Sequence, residues 1–142
     1  MNPPLLPLQI LNLIQADHDI LSKAIKNFRK SFVGNLPPAN SRQLPAIRQL
    51  LVKKIPDHFA EEENQLFPIL LATDSSPKIT TVLDELRQDH IQLQAEAQRL
   101  DAHLERNRLT QCPADLGTTL LDFFIVFEKH VAKEDQLFKN FT

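Results

Sequence analysis

At 142 residues the chain is long enough for one domain with a sizeable core, and one domain rather than two is expected. With only two glycines, Gly34 and Gly117, in a chain rich in Leu, Ala, Gln and Ile, a fold built on repeated tight β-turns is disfavoured and helices are expected. A net charge of -2 with no run of Lys or Arg gives no basis for a nucleic-acid or anionic-membrane surface, and the single cysteine, Cys112, cannot form an internal disulfide and fits a reducing compartment.

The start, Met1-Asn2-Pro3-Pro4-Leu5-Leu6-Pro7, has three prolines and no basic residue, so it reads as a short Pro-rich N-terminal arm and not as a signal peptide. No uncharged apolar stretch is long enough to cross a bilayer, and a cytoplasmic protein is expected, residues 1–142 forming a single domain. A first helix follows, with Leu11, Ile14, His18, Leu21, Ile25, Phe28 and Phe32 on one face. The break Gly34-Asn35-Leu36-Pro37-Pro38 leads to a second helix, capped at Ser41, whose inner face carries Leu44, Ile47, Leu51, Ile55, His58, Glu62, Leu66 and Ile69. Pro56 lies inside it and predicts a bend just before His58. After Thr73-Asp74-Ser75-Ser76-Pro77, with Ser76 as cap and Pro77 as first helical residue, a third helix aligns Ile79, Val82, Leu83, Leu86, His90, Leu93, Ala97, Leu100 and Leu104. Beyond Thr110-Gln111-Cys112-Pro113 a fourth places Leu116, Leu120, Phe123, Phe127, His130, Glu134, Phe138 and Phe141 together. Apolar spacings of three and four with short connections predict an all-α, antiparallel up-down-up-down four-helix bundle.

One polar pattern runs through these four stripes. His18 is followed 40 residues later by His58, which opens His58-Phe59-Ala60-Glu61-Glu62; His90 is followed 40 residues later by His130, which opens His130-Val131-Ala132-Lys133-Glu134. The halves are offset by 72, and four of the five histidines take part. At about 1.5 Å per helical residue, His18 and His58 both lie roughly 24–26 Å from the break between their helices. The same count brings His90 and His130 into nearly the same layer. Glu62 and Glu134 stand one turn past a histidine on the same face. A buried, unpaired carboxylate costs several kcal/mol even after relaxation, and two facing one another also repel, so a cation between them resolves both problems. A lone histidine on an apolar stripe reads as a core residue. Four on four helices at one level, with two matched glutamates, read as a metal site, and imidazole with carboxylate suits iron, zinc or manganese.

The flanking polar residues are expected to face solvent. Asp17 and Asp89 precede His18 and His90, and exposure is their default; a hydrogen bond to a ligand on a neighbouring helix is the sharper alternative. Glu61, Glu63, Lys133 and Asp135 are read as exposed, with Asp135 in reserve for Glu134. His103, well off the His90 face, is read as a surface residue. Phe59, Phe67, Phe127 and Phe138 read as core that also limits water access. The absence of Tyr and Trp excludes a tyrosyl radical.

The set His18, His58-x-x-x-Glu62, His90 and His130-x-x-x-Glu134 resembles the hemerythrin-like, HHE cation-binding domain family, and His58-Phe59-Ala60-Glu61-Glu62-Glu63-Asn64-Gln65-Leu66-Phe67-Pro68 looks like a family signature. The resemblance covers essentially the whole chain. It implies an antiparallel four-helix bundle holding two non-haem irons, bridged by carboxylates and an oxo or hydroxo group, with His18, His58, Glu62, His90, His130 and Glu134 as ligands and the two glutamates as bridges. Two departures stand out. Oxygen-carrying members have a fifth histidine four residues from the one on the third helix, where this chain has Leu86 and Gln94. The four-histidine, two-glutamate set is instead similar to the di-iron domain of bacterial iron–sulfur-cluster repair proteins, which carry a further cysteine-containing N-terminal domain that this sequence lacks. The segment Glu134-Asp135-Gln136-Leu137-Phe138 is also one residue shorter than its counterpart after Glu62 and has no proline.

The expectation is a di-iron protein that binds or reacts with a small oxidant or gas (oxygen, peroxide or nitric oxide) in sensing or stress response, because six protein ligands leave two irons with open positions. Two alternatives stay open: an iron donor or peroxidase-like enzyme, and an interaction bundle that metal only stabilises. The sequence displays no separate general base and names no protein partner.

Overall fold

A computed structural model of the chain describes residues 5–30, 43–107 and 114–141. The arm before Leu5, the breaks expected at 34–38 and 110–113, the cap at Ser41 and the stripe position Phe32 lie outside those residues. Helix α1 is Leu5–Lys30, α2 spans 43–73, α3 is Pro77–Asn107 and α4 is Ala114–Phe138, closed by a 3-10 turn at Lys139–Phe141. The turn between α2 and α3 forms as its residues predict. Asp74 leaves the helix in an extended conformation, Ser76 N–H donates to the Asp74 carboxylate at 2.9 Å, and Ile79 N–H donates to the Ser76 hydroxyl at 3.5 Å. Pro77 opens α3, where its missing N–H costs nothing.

Helix α2 is continuous but not uniformly α. Leu50–Lys54 and Glu62–Leu66 are wound as π-helix between α-helical stretches. Each π turn ends just before a proline, Pro56 or Pro68. Proline lacks a donor and its ring crowds the carbonyl four residues back. The widened turn accommodates both faults: Ile55 N–H reaches back to the Leu50 carbonyl and Phe67 N–H to that of Glu62. The expected bend at Pro56 is thus a local rewinding. Each π turn also shifts the helical phase. Beyond the second one Phe67 and Leu70 take the inner face, and Ile69, expected there, is only partly buried.

The four stripes build two apolar clusters. One gathers Leu11 and Ile14 from the start of α1, Leu66, Phe67 and Leu70 from the end of α2, Ile79, Leu83 and Leu86 from the start of α3, and Leu137 and Phe138 from the end of α4. The other joins the end of α1, the start of α2, the end of α3 and the start of α4 through residues such as Ile25, Leu51, Leu100 and Phe124. Starts meeting ends at both levels is the signature of an antiparallel up-down-up-down bundle. α1 packs on α2 and α4, and α3 on α2 and α4. Phe124, Val131 and Leu137 join the core beside the predicted α4 stripe. Among the described residues no helix is long and apolar enough to cross a membrane.

Candidate metal centre

Between the two apolar clusters lies a layer of six polar side chains, His18, His58, Glu62, His90, His130 and Glu134, none more than 4% exposed. Each comes from a core-facing stripe, so the helices that bury Leu and Phe above and below bury these residues too. The Nε2 atoms converge on the two carboxylates. His18 Nε2 lies 3.2 Å from both Glu62 and Glu134, and His90 Nε2 lies 3.1 Å from Glu62 and 3.3 Å from Glu134. His58 Nε2 is 3.3 Å from Glu62, and His130 Nε2 is 3.2 Å from Glu134.

Two overlapping groups that could each hold a metal ion result: His18, His58, Glu62 and Glu134, and Glu62, His90, His130 and Glu134, with the candidate ligand atoms of each group within 4.8 Å of one another. Both glutamates belong to both groups. Leu86 is buried in the apolar cluster and Gln94 is partly buried, so neither position supplies a fifth imidazole.

The outer nitrogens are arranged as strictly as the inner ones. His18 Nδ1–H donates to Asp135 on α4 at 2.7 Å, and His90 Nδ1–H to Glu63 on α2 at 2.6 Å. His130 Nδ1–H donates to Asp89 on α3 at 3.1 Å, and His58 Nδ1 faces Asp17 on α1 at a looser 3.5 Å. Each helix therefore backs the histidine of the next with a carboxylate, and the four contacts close a ring. A carboxylate on Nδ1 fixes the tautomer that presents Nε2 as the donor atom and raises its basicity.

Several expectations are corrected by this ring. Asp89 takes the sharper alternative and accepts a hydrogen bond from His130, whereas Asp17 lies 3.5 Å from His58 Nδ1 without a hydrogen bond. Glu63 and Asp135, read as exposed, are partly buried partners of His90 and His18. Asp135 does not replace Glu134: Glu134 points inward and Asp135 supports His18 from outside. The signal was in the repeat, since Glu63 and Asp135 are also 72 apart. Glu61 is partly buried against Asp17, whereas Lys133 is exposed as expected. His103 is partly buried outside the layer.

The phenylalanines seal the layer. Phe59 stacks on His90 with ring centroids 3.9 Å apart, Phe67 flanks the same imidazole at 5.9 Å and 15°, and Phe138 flanks His18 at 6.0 Å and 16°. Phe67 and Phe138 are structural counterparts although 71 and not 72 residues separate them. The π turn at Glu62–Leu66 supplies the extra residue in α2, which is why the motif after Glu134 is one residue shorter.

The electrostatics are those of a site built around positive charge. Burial by itself would lower the His18 pKa, but Asp135, Glu134 and Glu62 outweigh it and hold the ring up at about 11. Burial likewise opposes protonation of His90, and Glu134 and Glu62 raise it to about 10. His58 is also raised, Glu62 overcoming its burial. Burial pushes Glu62 up, yet the imidazoles of His18, His58 and His90 hold it well below the usual carboxylate range.

Proximity does not satisfy every atom. Both ring nitrogens of His58, His130 Nε2 and one oxygen of each glutamate are buried and make no hydrogen bond. The inward atoms among them lie within reach of a common cation, which would satisfy them as they do not satisfy one another. The donor set therefore fits a pair of divalent transition metals.

The sequence profile of the hemerythrin HHE cation-binding domain matches residues 9–141. No curated protein and no solved structure matches the chain. With its four helices, its inward layer of histidines and glutamates and this match over nearly all of its length, the chain belongs to the hemerythrin HHE cation-binding domain family.

Proposed function

We propose that the layer holds two iron ions, one on His18 and His58 and one on His90 and His130, with Glu62 and Glu134 shared between them. The pair binds or reacts with a small oxidant or gas such as oxygen, peroxide or nitric oxide, in sensing or stress response inside the cell. The observation that carries this reading is the sharing of both carboxylates by two four-residue groups. A structural zinc site closes with four ligands around one ion, which leaves the second group unexplained. When bound, the metals supply redox-active, incompletely ligated centres to which a small molecule can bind.

The chain's own residues do the rest. The ring of Asp17, Glu63, Asp89 and Asp135 holds the imidazoles with Nε2 inward. Phe59 and Phe67 stack against His90 and Phe138 against His18, which limits water access on those sides of the layer. With no Tyr or Trp in the sequence, no aromatic radical relay forms within it. The test is iron analysis and the visible spectrum after anaerobic reconstitution, before and after exposure to oxygen and nitric oxide. Two irons per chain and a charge-transfer band that responds to either gas are expected. Fewer than about one iron per chain, with no such band in the oxidised state, overturns the reading.

A further inference from the structure

The 72-residue repeat extends past the ligands to the surface. One pocket, of about 240 Å³, lies on the outer side of His58, and another, of about 260 Å³, lies on the outer side of His130. Their linings are counterparts residue by residue: adding 72 to every residue number of the first gives the second. The bundle therefore builds one pocket twice, and only the side chains differ.

The differences reverse the charge. The His58 pocket carries Asp17, Asp57, Glu61 and Lys54, three carboxylates against one ammonium. In the His130 pocket, Asp57 is replaced by Lys129, Glu61 by Lys133 and Lys54 by Val126, leaving Asp89 against two ammoniums.

The reversal reaches the histidines. Lys133 Nζ lies 3.2 Å from the Asp89 oxygen that accepts the His130 Nδ1–H, and 3.7 Å from Glu85. The ammonium withdraws negative charge from the carboxylate that makes His130 a better donor. At the equivalent place Asp17 lies beside Glu61, and among the described residues no lysine forms an ion pair with the carboxylate behind His58. The net pocket charge by itself favours a dication on the His58 side.

We propose that the two halves of the centre are unequal by construction: the His18–His58 half takes the first divalent cation and the His90–His130 half the second, with Glu61 and Lys133 setting the order. The inference rests on the reading of the layer as a two-metal centre. Its subject is different, namely which half fills first and which surface residues decide it.

The probe is Co²⁺, titrated calorimetrically into the metal-free full chain. Line broadening of the histidine ring NMR signals identifies the half filled at one equivalent. Two steps separated by about tenfold or more are expected, with His18 and His58 broadened first. Lys133→Glu is expected to tighten the second step, and Glu61→Lys to weaken the first, each narrowing the gap. The double exchange Glu61→Lys with Lys133→Glu is expected to restore the gap with His90 and His130 broadened first. The milder Glu61→Gln and Lys133→Gln are expected to move the steps the same way by less. Two equal steps in the unmodified chain, first broadening of His90 and His130, or a gap insensitive to all these variants overturns the proposal and leaves the two-metal reading standing. Binding of fewer than two Co²⁺ per chain overturns the two-metal reading, and the order of filling with it.

Discussion

The apolar clusters and the layer between them occupy consecutive turns of the same four helices, yet they are held together differently. Phe124 and Leu51 are fully buried and need only neighbours of matching shape. Glu62 and Glu134 are buried to the same degree and need compensating charge. Without metal that charge comes from protonated imidazoles, His18 and His90 above all. With metal it would come from the ions, and the protons would leave. One part of the bundle is thus indifferent to pH and metal supply, and the other answers to both.

Breaking an apolar cluster is the largest expected effect. Phe124→Ala should cost about 3–5 kcal/mol in urea unfolding, by the same amount with and without metal. A cost that depends on metal would mean that cluster and layer are not separate. Next comes the metal itself. At free metal a hundredfold above its dissociation constant, loading should add about 2.7 kcal/mol, and Glu62→Gln should remove most of that increment. Equal thermal shifts on metal addition in wild type and Glu62→Gln would take Glu62 out of the site.

The increment should also depend on pH. His18 and His90 have pKa values raised from 6.5 to about 11 and about 10, so their contribution to the metal-free fold is complete below pH 6.5 and fades as pH rises towards those values. Glu62, held below its ordinary 4.5, contributes fully above that value and loses its contribution as pH falls below it. The metal-free protein should therefore be most stable between about pH 4.5 and 6.5, the metal increment should grow at higher pH, and loading should release protons into a weakly buffered solution. A metal increment independent of pH would contradict the charge exchange.

A smaller effect sharpens the comparison within the layer. Asp135→Asn or Asp89→Asn should lower metal affinity about 10–100-fold in a chelator competition, with little change in metal-free stability. An affinity unchanged by both would make the carboxylate ring a matter of packing. The smallest effect belongs to the surface. Arg48 bonds Asp101 at 2.7 Å but is 38% exposed, so Arg48→Ala should cost no more than about 1 kcal/mol and leave metal affinity alone.

Much of this was legible because the inner face of each helix repeats every three or four residues, and the four histidines and two glutamates fall on that period without exception. Residues beside the stripe were harder to place. Asp17 and Glu63 point away from their own helix's seam, and only the position of the next helix shows that they meet His58 and His90. In α2 the prolines announced a disturbance at Pro56. That the turns before Pro56 and Pro68 widen into π-helix, carrying Phe67 and Leu70 inward in place of Ile69, depended on the core that α2 packs against.

The sequence by itself determined the helical class, the antiparallel order and the six inward polar residues. Periodicity is a local property, and short connections leave few arrangements for four amphipathic helices. Only the tertiary structure decided the closed ring of outer carboxylates, the sharing of both glutamates and the paired pockets of opposite charge. Each of these depends on which side chains from different helices arrive at the same point, and distance along the chain carries no such information until the helices are packed.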